Sequence, residues 1–177
     1  RTNSLSVTYT TDYLPTSGPS SVQFWPLDAS PTTNATTATG SNVTFQVPIA
    51  WDETSEFIYA NISHNLSIHT VEIGDLAPKS SYSYRVGSDE SGWSNVHTLH
   101  TLPTARPTTD TPLSFAVVGD FGIRDVNART LPALQNKALK RDIDFVLHIG
   151  DIAYDLDLER GKVGDDFMAA IEPISSS

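Results

Sequence analysis

The first hundred residues or so alternate apolar and polar positions in short segments that are separated by turn residues. This period-two pattern is typical of β-strands with one buried face. About seven such segments within about a hundred residues predict an antiparallel β-sandwich. The segments are Leu5–Tyr9, Val22–Phe24, Val43–Val47, Phe57–Tyr59, Ile68–Ile73, Tyr82–Val86 and Val96–Leu99. The Thr-rich stretch from Pro31 to Thr39 lies between two of them and is interpreted as a long solvated loop.

A tyrosine that opens one of these segments indicates the type of sandwich. Tyr82 follows Leu76 and Pro78 by a few residues, an arrangement that predicts a tyrosine corner. In such a corner the ring packs in the core while the hydroxyl bonds the backbone a few residues upstream. With Gly87, Gly92 and one more strand following, the pattern favours a fibronectin type III-like β-sandwich.

The pattern changes after residues 104–112, which lack hydrophobic alternation and indicate a stiff Pro/Thr-rich linker. The apolar runs 113–118 and 143–149 are each bounded by glycine, as expected of strands buried on both faces of a parallel sheet. Between them, residues 125–141 place apolar side chains at helical spacing, with Pro132 tolerable only in the first turn. A β-α-β unit with a right-handed crossover is therefore predicted. The predicted domains are the sandwich at 1–103, the linker at 104–112 and an incomplete α/β unit at 113–177.

Both predicted parallel strands end in the same dipeptide, Gly119–Asp120 and Gly150–Asp151. Parallel strands joined by one helix end at the same sheet edge, so the two aspartates are expected to converge there. Two ionised carboxylates in a small volume require a shared proton or a cation, and a divalent or trivalent metal ion meets that need. Tyr154 adds an oxygen ligand that, as a phenolate, suits a strongly polarising ion such as Fe(III).

Other polar residues near this edge have weaker interpretations. His148 is interpreted as a core histidine or as a support for a metal ligand. Arg124 and Asn127 are either contacts for an anionic substrate or solvated loop residues. Four aspartates are interpreted as solvated loop positions and four histidines as sandwich residues that do not bind this metal: Asp155, Asp157, Asp165 and Asp166, and His64, His69, His97 and His100.

Composition limits the class of protein. With 11 Lys and Arg against 21 Asp and Glu, the formal net charge is −10, which repels phosphate backbones and anionic membrane surfaces. Nucleic acid and membranes are therefore not expected as partners. The absence of cysteine excludes disulfides, thiolate zinc sites and a cysteine nucleophile. The apolar runs fall short of the roughly 20 residues that span a bilayer, and a secreted chain is expected to be already processed.

Four matches to the Asn-x-Ser/Thr acceptor pattern lie before residue 70. Their clustering predicts N-glycosylation and therefore a secreted, extracellular protein. The acceptor residues are Asn34, Asn42, Asn61 and Asn65.

The two strand ends resemble a known enzyme family. Gly119-Asp120-Phe121-Gly122 and Gly150-Asp151-Ile152-Ala153-Tyr154 are similar to the GDxG and GDxxY blocks of purple acid phosphatases, within the calcineurin-like metallophosphoesterases. The wider stretch 115–173 resembles the animal and fungal high-molecular-weight forms, which also carry a fibronectin-like N-terminal domain. The resemblance implies the N-terminal portion of a secreted acid phosphatase that hydrolyses phosphate monoesters at a dinuclear metal centre.

The resemblance also implies individual roles. Asp120 would bind ferric iron, Asp151 would bridge both metals, and Tyr154 would bind Fe(III) and produce the purple colour. The second metal would be iron, zinc or manganese. The family's later blocks GNH(D/E), VxxH and GHxH do not occur in these 177 residues. This chain is therefore expected to contain no catalytic residue beyond metal ligands, to hold metal loosely or not at all, and to be inactive alone.

Three further expectations stay open at this point. The remaining C-terminal part of the phosphatase domain, or another chain, is expected to cover the open sheet edge. One alternative function is an extracellular structural or self-assembling protein that retains a degenerate half of the phosphatase fold. Another is a different metallophosphoesterase, such as a nucleotidase or phosphodiesterase, against which Tyr154 argues.

Overall fold

The computed structural model describes residues 3–12, 18–47, 64–103, 108–109, 112–122, 129–156 and 161–176. The described residues up to 103 form one compact unit, and those from 108 onward belong to a second. The predicted strand at Phe57–Tyr59 lies outside the described residues. The predicted domain limits of 1–103, 104–112 and 113–177 stay predictions.

Strands dominate the described part of the first unit. They are β1 (Asn3–Asp12), β2 (Ser20–Pro26), β3 (Thr36–Val47), β4 (His64–Leu76), β5 (Ser81–Ser88), β6 (Gly92–Trp93) and β7 (His97–His100), with a short helix α1 (Pro31–Asn34). Pairing follows the order β1-β4-β3-β2-β5-β6, and β7 also pairs with β5. All of these pairs are antiparallel. The predicted antiparallel sandwich is confirmed.

Strand β3 belongs to both layers of the sandwich. Its residues 36–40 pair with β2, and its residues 41–47 pair with β4. Gly40 lies at the changeover, where a β-carbon would be 2.0 Å from the Thr70 carbonyl oxygen, so a larger residue would push the strands apart. The interpretation of Pro31–Thr39 as a long loop is therefore wrong. Residues 31–34 form α1, whereas Thr36, Thr37 and Thr39 belong to β3, where β-branched side chains fit well, and Ala38 packs against the core.

The core of the first unit lies between the two layers. Both layers contribute to it, through the buried residues Val22, Phe24, Val71, Ile73, Leu76, Tyr84 and Leu99. From Ser67 to Ile73 of β4 the side chains alternate, because Ser67, His69, Val71 and Ile73 are buried while the residues between them are exposed. This alternation is the period-two signal of the sequence, and it fixes which face of each strand points inward.

The predicted tyrosine corner is present. The backbone N–H of Ala77 donates to the Tyr82 hydroxyl at 2.9 Å. The Tyr82 ring packs against the core and meets Phe24 edge-on, with ring centroids 6.3 Å apart. Thr101 fastens the same turn, since its hydroxyl donates to the Ala77 carbonyl at 2.6 Å and accepts from the Ser80 N–H at 2.8 Å. Hydrogen bonds therefore connect the start of β5 to the turn before it and, through Thr101, to the residue that follows β7.

The second unit contains the predicted β-α-β arrangement. Its described elements are β8 (Phe115–Val118), α2 (Thr130–Leu139), β9 (Phe145–His148) and α3 (Lys162–Ser175). Strands β8 and β9 are parallel, with Phe115 opposite Phe145 and Val118 opposite His148. Pro132 lies in the first turn of α2, as the sequence requires. No helix in the described ranges has the length and apolar character needed to cross a membrane.

The two faces of the β8–β9 sheet differ. Ala116, Val118 and Val146 pack into a core with residues of α2 and α3. On the opposite face, which we call the outer face, Phe115, Val117 and Leu147 are 50%, 52% and 45% exposed. The expectation that both strands are buried on both faces is therefore wrong for the described structure, in which the helices cover only one face.

Candidate metal centre

The carboxyl ends of β8 and β9 are held side by side by backbone hydrogen bonds. The Asp120 N–H donates to the Gly150 carbonyl at 3.2 Å, and the Phe121 N–H donates to the Asp151 carbonyl at 3.0 Å. These bonds lie beyond the last paired residues of the strands. They connect the two Gly-Asp turns directly, so the aspartates are positioned relative to each other by the backbone.

Both aspartates adopt the left-handed backbone region. The φ angles are 49° at Asp120 and 43° at Asp151, and Gly150 has φ 143°. Asp tolerates this region better than most residues, whereas the conformation of Gly150 suits glycine. Such sparsely populated conformations cluster at functional sites, where the surrounding structure maintains them. The backbone therefore has a similar conformation at the aspartate that follows β8 and at the aspartate that follows β9.

The Tyr154 hydroxyl meets both carboxylates. It donates to Asp151 Oδ2 at 2.9 Å and is in hydrogen-bonding contact with Asp120 Oδ1. The structure therefore brings together Asp120, Asp151 and Tyr154. A phenol carries only one proton, so its hydroxyl cannot fully satisfy two ionised carboxylates at once. Three oxygen-bearing side chains thus converge where a cation would balance the charge.

These contacts also set the protonation of Tyr154. The hydrogen bonds to Asp120 and to Asp151 raise the pKa of the phenol, because the carboxylates accept from its protonated form and their charge disfavours the phenolate. The ring is 50% exposed, so burial is not the main cause. A cation at the same point has the opposite effect, because positive charge favours the phenolate.

A buried aromatic residue anchors the turn that carries Asp120. Phe121 is 3% exposed, and its ring meets Phe167 of α3 and His148 edge-on, with centroid distances of 6.2 and 6.1 Å. His148 therefore lies beside this turn, but it is exposed, so its interpretation as a core histidine is wrong. Phe121 was not among the residues predicted to position the site. Its position directly after Asp120 within the first Gly-Asp motif was the available signal.

The other residues considered from sequence lie elsewhere or outside the described ranges. Asp155, Asp165 and Asp166 are exposed, and Asp166 forms an ion pair with Lys162. Arg124, Asn127 and Asp157 lie outside the described residues. His64, His69, His97 and His100 belong to strands of the first unit. Across the described ranges no group of three or more His, Asp or Glu side chains could hold a metal ion, so the candidate centre consists of two carboxylates and a phenol.

Comparison with known proteins identifies the relatives of this chain. Residues 1–101 match the family model described as the N-terminal domain of purple acid phosphatase. Acid phosphatase type 7 of Mus musculus and of Homo sapiens are each 36% identical over 116 residues, which cover 66% of this chain and 25% of each relative. Purple acid phosphatase 21 of Arabidopsis thaliana is 38% identical over 87 residues, covering 49% of this chain and 17% of the relative.

The fold has a counterpart among solved structures. A purple acid phosphatase isolated from yellow lupin (Lupinus luteus) seeds aligns with a TM-score of 0.69 at 21% identity, over 98% of this chain and 31% of that one. The alignment supports the fold of both units. The chain spans 25% of the length of the mammalian relatives and 31% of the lupin protein.

Proposed function

The chain belongs to the purple acid phosphatase family, and on that premise we propose that it is the N-terminal portion of a secreted enzyme that hydrolyses phosphate monoesters at a dinuclear metal centre. The observation that carries this proposal is the convergence of Asp120, Asp151 and Tyr154 at one edge of a parallel sheet. Open α/β sheets bind their ligands at this edge. The relatives are named as phosphatases, which agrees with a phosphate ester as substrate.

The donor set fits ferric iron. Carboxylate and phenolate oxygens are hard ligands that suit a small and highly charged ion. Asp120 and Tyr154 would hold Fe(III), and Asp151 would be shared with a second ion, which is iron, zinc or manganese. Such a pair of metals supplies the positive charge that neutralises a phosphate ester during its hydrolysis.

The side chains of this chain would bind and position metal ions, but they do not form a complete phosphatase site. The hydrogen bonds between the two Gly-Asp turns fix the spacing of Asp120 and Asp151. Their negative charge attracts cations and repels a phosphate monoester until cations are bound. Three ligand side chains leave most coordination positions of two metal ions unfilled. We therefore propose that the 177-residue chain alone does not turn over phosphate monoesters.

Tyr154 provides a spectroscopic test. Titration of the chain with ferric nitrilotriacetate is expected to produce a visible absorption band from a phenolate bound to iron. The Tyr154→Phe variant is expected to lack this band, because phenylalanine has no oxygen to bind the metal. Tyr82→Phe is the matched control. It removes a hydroxyl from the first unit, where that group accepts the Ala77 N–H, and should leave the band unchanged.

A band of equal intensity in Tyr154→Phe would contradict the assignment. If the 177-residue chain retains no iron, the same variants are compared in the chain continued through the rest of the phosphatase domain. Absence of the band in the native continued protein that contains iron would favour a different metallophosphoesterase.

We further propose that the remainder of the phosphatase domain covers the outer face of the β8–β9 sheet. Parallel sheets are normally covered on both faces, and Phe115, Val117 and Leu147 leave this one exposed. The same apolar face favours the alternative of a self-assembling extracellular protein, since a second copy would also bury it. Sedimentation of the 177-residue chain separates the two. Monomers in dilute solution exclude self-assembly, whereas oligomers that Val117→Lys dissociates favour it.

We also propose that the protein is a secreted glycoprotein. Asn34 and Asn42 are exposed, Asn65 is half-buried, and Asn61 lies outside the described residues. Expression through a eukaryotic secretory pathway should therefore modify Asn34 and Asn42 most fully. Enzymatic removal of N-glycans converts each modified asparagine to aspartate, which peptide mass spectrometry detects. Unmodified asparagine at every acceptor site of the secreted chain would contradict the proposal.

A further inference from the structure

A histidine lies inside the sandwich and contacts both of its layers. His69 of β4 is 3% exposed. Its Nε2 lies 2.9 Å from the Thr11 hydroxyl on β1, and its Nδ1 lies 2.8 Å from the Ser20 hydroxyl on β2. The Tyr9 ring stacks on the imidazole, with centroids 4.5 Å apart and planes 6° from parallel. We call Tyr9, Thr11, Ser20 and His69 the His69 cluster.

The cluster attaches an edge strand to the opposite layer. Strand β1 stands at the end of the strand order and pairs only with β4 among the described strands. Tyr9 adds a second connection, because its hydroxyl donates to the Ser21 carbonyl at 3.3 Å and accepts the Ser21 N–H at 3.1 Å. Strand β1 is thus held by its ladder with β4 and by polar contacts to β2.

The contacts of the cluster suit a neutral imidazole. A neutral ring has one donor and one acceptor nitrogen, and a hydroxyl can serve either one. A protonated ring would require both hydroxyls to accept and would bury a positive charge whose hydrogen-bond partners are both neutral. Burial lowers the pKa of His69 and raises the pKa of Tyr9, so both groups are neutral near pH 7.

Among the residues that the structure describes, the groups facing the ring from the neighbouring strands carry no negative charge that could compensate a protonated imidazole. Tyr9 and Thr11 face it from β1, and Ser20 faces it from β2. On β3 the residue paired with His69 is the uncharged Asn42. Asp12 follows Thr11 and is on the opposite face of β1 by strand alternation.

We propose that His69 is an acid-sensitive latch, whose protonation loosens the attachment of strand β1 to the sandwich. This role is independent of the metal centre and of phosphatase activity. The sign of the pH dependence follows from the difference in proton binding between the unfolded and the folded chain. Below about pH 6.5, the ordinary pKa of histidine, the unfolded chain binds a proton that the folded chain resists. The stability contributed by neutral His69 is therefore present above that pH and is lost as the pH falls.

The first experiment compares unfolding at several pH values between 7.5 and 5 for the native chain and His69→Gln. Glutamine can donate to one hydroxyl and accept from another without titrating. The folding equilibrium constant of the native chain is expected to fall, relative to that of His69→Gln, by up to about tenfold per pH unit. His100→Gln is the matched control, since His100 is half-buried and bonds the Ser81 hydroxyl at 2.7 Å, and it should retain the native pH dependence.

The second measurement shows which strand is destabilised at low pH. It uses only the native chain, so it does not require the His69→Gln variant to fold. Ring resonances of His69 and hydrogen exchange of the β1 amides, corrected for the intrinsic rate at each pH, are followed in the native chain. An imidazole that stays neutral until β1 loses protection supports the latch. Titration near pH 6.5 with unchanged β1 protection overturns it, as does parallel pH dependence in the native chain and His69→Gln.

Discussion

Replacing Asp151 with asparagine is expected to remove metal from the candidate centre and to abolish phosphate monoester hydrolysis in the chain continued through the rest of the phosphatase domain. Asparagine preserves the size of the side chain and tolerates the left-handed backbone at φ 43°, so the turn should persist. The variant loses the negative charge beside Tyr154 and Asp120. We expect metal affinity to fall at least about a hundredfold, since removing a group that only supports a ligand already costs 10–100-fold.

Asp155→Asn is the matched control for this change. Asp155 is exposed, lies in the same loop and also has a left-handed backbone, with φ 56°. The metal content of purified protein and the hydrolysis of p-nitrophenyl phosphate are measured for both variants. The assignment fails if Asp151→Asn retains native metal content and activity, or if both variants lose metal equally. Loss of activity with full metal content would assign Asp151 a role other than ligand.

Replacing Phe121 with alanine is expected to destabilise the second unit by about 3–5 kcal/mol, the usual cost of deleting a buried aromatic ring. Phe121 is 3% exposed and joins Phe167 of α3 to the turn that carries Asp120. The cavity would remove that anchor, so iron affinity should fall together with stability. Hydrogen exchange of the α2 and β9 amides reports the free energy of opening this unit separately from the sandwich.

Met168→Ala is the matched control, because Met168 lies on helix α3 next to Phe167. Met168 is 57% exposed, and its truncation should change the stability by no more than about 0.5 kcal/mol. Similar exchange protection in Phe121→Ala and Met168→Ala would show that the buried ring does not anchor the unit. Reduced protection with unchanged iron affinity would separate the stability of the fold from the position of Asp120.

The sequence predicted the elements whose signals are local. Alternation predicted the strands of the sandwich, and the spacing of Tyr82 after Leu76 predicted its corner. The repeated Gly-Asp dipeptide predicted that Asp120 and Asp151 meet, because parallel strands end at a common edge. Their role as metal ligands with Tyr154 stays a prediction, since contact between three oxygen-bearing groups does not by itself identify what they bind.

The sequence did not predict the elements whose structure depends on contacts with distant parts of the chain. Thr36–Thr39 has the composition of a loop, yet it forms a strand because β2 provides the hydrogen-bond partners. Helix α3 was not among the predicted elements, although Val163, Phe167 and Ile174 recur at helical spacing and Pro173 lies only in its last turn. The position of Phe121 in the core depends on Phe167 of this same helix, and so it could not be inferred without α3.

The changeover of strand β3 has a consequence for how the sandwich loses its structure. Because the same strand pairs with β2 through residues 36–40 and with β4 through residues 41–47, a continuous strand joins the two layers, and they can separate only if one of these two ladders breaks. Partial unfolding that frees one layer therefore breaks a ladder of β3 and also exposes the core between the layers, so the two layers are expected to unfold as a single cooperative unit. A side chain at Gly40 would act at the point where that cooperativity originates.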